Sequence, residues 1–147
     1  MPQRFLQTVK KTGYQTGLML LLGCPLAQAG DILVKVEGSH ASGDLYLALV
    51  AVEPHWPEQP LLQLRSSAAV MRLEDIAPGR YAIQLFQDSN GNGRLDHSRR
   101  GIPLEPVGFS GNPPLVNGKP APLDCLFEHG EADTQLSIRL HSAKAKP

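Results

Sequence analysis

Cysteine is nearly missing from this chain: two among 147 residues, Cys24 and Cys125. A framework of several disulfides is therefore excluded as the source of stability. Aromatic residues are scarce, at 5%. Neither sign of charge dominates, with 14 Lys and Arg against 14 Asp and Glu. A balanced chain without a basic patch is a poor ligand for a phosphate backbone, so nucleic acid is excluded as a partner. Internal repeats and low-complexity stretches are absent, and beyond residue 30 no window carries a helical apolar period. No nucleophile elbow of the Gly-x-Ser-x-Gly type occurs; Ser110 has glycines nearby at the wrong spacing. None of the five histidines pairs with another at a metal-ligand spacing.

The one apolar run is short and lies near the start. Arg4, Lys10 and Lys11 precede an apolar core at residues 18–22, and Ala27-Gln28-Ala29 follows. A basic start, a short apolar core and a small-residue cleavage motif predict an export signal over residues 1–29. A bilayer-spanning helix needs about 20 apolar residues, so no membrane anchor is expected from this run or from the mature chain. Leu21-Leu22-Gly23-Cys24 also resembles a bacterial lipoprotein box. The two processing outcomes are a free periplasmic or secreted protein and one tethered by lipid through Cys24. Cleavage after Ala29 leaves 118 residues, enough for one core. Their 11 Lys and Arg stand against 14 Asp and Glu, a charge of −3. Cys125, among Leu123, Leu126 and Phe127, reads as a buried structural thiol.

The remainder predicts short strands punctuated by Gly, Pro, Asn and Asp. Residues 31–37 alternate Ile32, Val34 and Val36 with Leu33, Lys35 and Glu37. Residues 45–53 are apolar on both faces, as in a central strand. Residues 61–65 and 68–73 read as two short strands or a hairpin. Pro78-Gly79 fits a type II turn with glycine at positive φ. After it, Tyr81, Ile83 and Leu85 alternate with Ala82, Gln84 and Phe86, and residues 135–141 point Leu136, Ile138 and Leu140 inward. The expected architecture is all-β: a two-sheet antiparallel sandwich, prealbumin-like or Ig-like, of about seven strands over residues 30–141, with a frayed tail at 142–147. The long connection, residues 88–122, carries Leu95, Ile102, Leu104, Val107 and Phe109, so it is expected to fold back on the body.

That connection opens with oxygen-bearing side chains at alternate positions: Asp88, Asn90, Asn92 and Asp96. An EF-hand-like loop wants oxygen ligands at its first, third and fifth positions, Gly at the sixth, a backbone carbonyl at the seventh and often a ligand at the ninth. Asp88, Asn90, Asn92, Gly93, Arg94 (by its carbonyl) and Asp96 meet these in turn, and Leu95 fills the apolar eighth position. The twelfth, which should hold a bidentate Glu, is Arg99; Glu105 is the candidate to fold back in its place. With two carboxylates and no bidentate group, calcium would bind weakly, at about 10⁻⁴–10⁻³ M. The same Asn-Gly pairs also build a hairpin loop that needs no ion, and both readings stand.

One wider pattern joins these pieces. Pro78-Gly79-Arg80-Tyr81-Ala82, Phe86-Gln87-Asp88, Asn90-Gly91-Asn92-Gly93-Arg94-Leu95-Asp96, the Gly-Ile-Pro-Leu-Glu-Pro-Val-Gly-Phe-Ser run at 101–110, and Asp124 with Phe127 follow in order. This pattern resembles domain of unknown function family 2141, small exported bacterial proteins. The resemblance implies an exported β-sandwich and brings no established activity. Three functional readings follow. The first is a non-enzymatic binding or accessory module, partnered by an envelope protein or glycan, with a calcium-stabilised loop. The second is a carbohydrate or small-ligand binder of the cell envelope using the long loop and Trp56, set among Pro54, His55 and Pro57, as a stacking platform; the alternative role for Trp56 is to cover a sheet edge or cleft. The third is a hydrolase using Asp96 and Glu105 as paired acids.

Overall fold

Period-two alternation of apolar side chains fixes most of the strands found in the computed structural model, which describes residues 28–40 and 42–142. The expected leader through residue 27, Cys24 with it, and residues 143–147 of the expected tail lie outside the described residues. In chain order the strands are β1 (Gly30–Glu37), β2 (Asp44–Ala51), β3 (Leu62–Ser66), β4 (Val70–Ile76), β5 (Gly79–Asp88), β6 (Val107–Phe109), β7 (Phe127–His129) and β8 (Thr134–Arg139). A 3₁₀ turn, Pro122–Cys125, precedes β7.

The strands form two sheets. One has the order β4-β1-β8; the other runs β3-β2-β5-β6, with β7 pairing the first part of β5. Ile32, Val34 and Val36 from β1 and Met71 and Leu73 from β4 meet Leu45, Leu47 and Leu49 from β2 and Ile83 and Leu85 from β5. These side chains are buried between the sheets, as face-to-face sandwich packing requires. The expected all-β sandwich is therefore what forms, with one departure from antiparallel pairing: β1 and β8 run parallel, Ile32 opposite Thr134 through Glu37 opposite Arg139. Asn112, at φ 49°, covers part of the outer edge of β8. Its carboxamide donates to the Ser137 carbonyl at 2.9 Å and accepts the Arg139 N–H at 2.8 Å, in place of a ladder neighbour.

Of the two readings of residues 61–73, two separate strands form and not a hairpin: β3 pairs with β2 and β4 with β1, so the chain crosses between sheets there. One local expectation is corrected. Gly79 does not take positive φ; Asp75 does, at 54°. Gly79 is small for a different reason. A Cβ on it would stand 3.0–3.1 Å from atoms of the Tyr81 ring, whose hydroxyl donates to the Ala77 carbonyl at 2.8 Å. This is a tyrosine corner, which fixes where β5 enters the sheet.

The outer face of the five-stranded sheet carries a second apolar cluster. Val50, Ala82, Val107, Phe109 and Cys125 are buried there, with Val52, Trp56, Phe86, Leu95 and Leu115 packed against them.

 

Leu95 and Leu115 come from the long connection, so residues 88–122 fold back across this face, as their apolar punctuation predicts, and they contribute β6 to the sheet. Ser110 ties the layers together: its hydroxyl accepts the Ile83 N–H at 2.9 Å and donates to the Cys125 carbonyl. His129 does similar work at the far end of β5. Its Nε2 donates to the Ile76 carbonyl, which can only accept, at 3.0 Å, and its Nδ1 is hydrogen-bonded with the Thr134 hydroxyl at 2.7 Å.

Candidate functional site

The long connection and the outward positions of β2, β3 and β5 together build the site. Asp88, the last residue of β5, is buried to 3% exposure. Its Oδ1 accepts the N–H groups of Gly91 and Asn92, and its Oδ2 accepts that of Gly93 at 2.7 Å. Burial acts to raise this carboxyl's pKa, but the amides of Gly93, Gly91, Asn92 and Asn90 outweigh it and hold the pKa below the ordinary value. Gly91 and Gly93, at φ 76° and 74°, supply the left-handed turns that aim those amides inward.

Three of the candidate ligands meet at one atom. The Asn90 and Asn92 carboxamides each donate to Asp96 Oδ2 at 2.7 Å, lowering the Asp96 pKa. Their own oxygens accept the N–H groups of Asn92 and Arg94 at 3.0 and 2.9 Å. Glu105, 4% exposed, spans the loop from the side: one oxygen accepts the Ser89 N–H at 2.8 Å and the other the Asp96 N–H at 3.2 Å. Asp88, Asn90, Asn92, Asp96 and Glu105 thus share one loop, and its hydrogen bonds close on themselves. The donor set of carboxylates and amide oxygens suits a hard cation. Among the described residues, no group of three or more His, Cys, Asp or Glu side chains is placed to hold a metal.

Beside this loop runs a groove of about 1230 Å³. Its floor is an aromatic pair. Tyr46 of β2 and Phe86 of β5 are directly opposed across the strands, and their rings stack 5.0 Å apart at 7°. Arg65 of β3, opposite Tyr46, extends the stack: its guanidinium carbon lies 5.4 Å from the Tyr46 ring centroid, and Nε donates to Asp44 at 2.8 Å. Leu95, Ile102 and Val116 of the long connection form apolar wall, with Ile102 and Val116 exposed. The oxygen-rich loop is part of the same wall. A Cβ on Gly93 would stand 3.6 Å from the Tyr46 hydroxyl.

Trp56 is placed away from the groove's lining. Its indole N–H donates to the Pro120 carbonyl at 2.8 Å, its ring lies 5.8 Å from that of Phe109, and the Lys119 ammonium sits 4.6 Å from its centroid. The indole anchors the segment whose Val116 and Lys119 do line the groove. Tyr46, Phe86 and Arg65 were not singled out by the sequence. The available signal was the pair of aromatics at outward positions of neighbouring strands, opposite a connection rich in apolar residues.

A family model described as an uncharacterized protein conserved in bacteria (DUF2141) matches residues 34–137. No curated protein matches the chain, and no solved structure does. Among the described residues, no helix is long and apolar enough to cross a membrane.

Proposed function

The chain belongs to domain of unknown function family 2141, and on that premise we propose an exported, non-enzymatic binding module whose ligand lies in the groove over the five-stranded sheet. One observation carries this reading: a stacked Tyr46–Phe86 floor is left open beneath a structured connection, in a groove of about 1230 Å³. Small-molecule sites combine an apolar, aromatic lining with a few polar groups, at about 300–1,000 Å³. The groove is somewhat larger, which favours an extended ligand. Titration with N-phenyl-1-naphthylamine, a neutral apolar fluorophore, tests it. Saturable binding that weakens about tenfold or more in Phe86→Ala supports the reading; no saturable binding of either this fluorophore or its sulfonated analogue removes it. A glycan that saturates where the fluorophore does not would favour the carbohydrate alternative.

Calcium at the loop is a second reading, supported by the side-chain oxygens of Asp88, Asn90, Asn92, Asp96 and the Arg94 carbonyl at EF-hand-like spacing. Bound calcium would stiffen the wall beside Tyr46. Millimolar calcium should then raise the Tm, and Asp88→Ala should abolish the rise; no shift at millimolar ion removes the metal and leaves the groove. Export rests on the leader-like residues 1–29, and mass spectrometry of the mature N-terminus separates cleavage after Ala29 from lipidation of Cys24.

A further inference from the structure

The groove's charge is one-sided. Arg65, Arg100 and Lys119 line it together with His97 and His141, while no Asp or Glu stands among its described lining residues. The chain as a whole balances 14 cations with 14 carboxylates, so this is a local segregation. Of the three cations, Arg65 is neutralised by Asp44. The other ion pairs among the described residues, Arg72–Asp31 and Arg139–Glu37, leave Arg100 and Lys119 without a carboxylate. Burial lowers the Lys119 pKa, while the indole face beneath the ammonium favours its charged form.

We propose that the groove takes a small amphipathic anion: a flat or extended apolar body on the Tyr46–Phe86 floor, with one acidic group held by Arg100 and Lys119. This rests on the groove reading above and adds the ligand class. The apolar body displaces water from the aromatic floor and from Ile102 and Val116. The acidic group supplies the counter-charge that the two exposed cations lack, in a groove lined by charge of one sign. A neutral ligand would gain only the first of these.

A matched pair of probes separates the two contributions. N-phenyl-1-naphthylamine and 8-anilinonaphthalene-1-sulfonate share one aromatic body and differ by the sulfonate. With the full-length protein at low salt, the sulfonate should bind about five- to tenfold more tightly. Its affinity should fall as salt is raised, and the amine's should not. In Arg100→Gln, Lys119→Gln and the double variant, the ratio of the two affinities should fall toward one. Equal affinities in the native protein would overturn the anion while leaving the groove intact. Failure of both probes would remove groove and anion together. Binding of phosphatidylglycerol vesicles with no binding of the sulfonate would also overturn the proposal, because the cations would then be reading a membrane surface.

Discussion

Replacing Glu105 with Gln tests whether the long connection is held by its own hydrogen bonds. The native carboxylate accepts two backbone N–H groups, from Ser89 and Asp96, while itself 4% exposed. A carboxamide offers one accepting oxygen and turns an NH₂ toward the second amide, so at least one bond is lost. Hydrogen bonds to charged groups contribute about 1.5–3 kcal/mol each. Ser89 is exposed, so water recovers part of one bond. The expected loss is about 2–3 kcal/mol, or roughly 30- to 150-fold in the opening equilibrium of the loop. Hydrogen exchange in calcium-free buffer should show that acceleration at the Ser89 and Asp96 amides. Unchanged exchange at both would refute the assignment. An effect seen only when calcium is present would instead make Glu105 an ion ligand.

Three further outcomes are expected. Gly108→Ala should destabilise the protein by about 1–3 kcal/mol in urea unfolding, because its Cβ would stand 2.8 Å from Ile138 Cγ2 and 3.0 Å from the Arg139 carbonyl oxygen; a neutral result would mean that β6 and β8 are less closely packed. Acid should loosen the oxygen-rich loop. Asp88 and Asp96 have folded pKa values below their unfolded ones, so their contribution is whole above about pH 4 and is lost as pH falls through the depressed folded values. The acid limb of a stability–pH curve should flatten in Asp88→Asn, and an identical curve would count against the assignment. Burial pushes the Cys125 thiol up to about 11, so it should resist thiol reagents at neutral pH in the folded protein and react on unfolding; rapid native labelling would contradict its burial.

Much of the sandwich was legible because its signal is local. Ile32, Val34 and Val36, or Tyr81, Ile83 and Leu85, alternate with outward neighbours, and that period alone sets their faces. Pairing is not local. Nothing in residues 30–37 or 134–139 states that β1 and β8 run parallel, and nothing between Leu62 and Ile76 states that the chain changes sheets. Strand β6 spans three residues, too few to show a period. At Gly79 the Pro-Gly pair suggested a turn residue, whereas the glycine is needed to admit the Tyr81 ring, a contact visible only after folding. The site divides the same way. The oxygen-rich loop is contiguous, so its residues were found by spacing. The groove's floor comes from Tyr46 and Phe86, forty positions apart, each reading alone as an ordinary outward residue.

The most direct measurement is backbone amide NMR of the protein titrated with 8-anilinonaphthalene-1-sulfonate. Saturating shifts should be concentrated at Tyr46, Phe86, Ile102 and Val116, with Arg100 and Lys119 at the acidic end. Shifts centred on Trp56, on the three-stranded sheet or scattered over the surface would contradict a binding groove on this face.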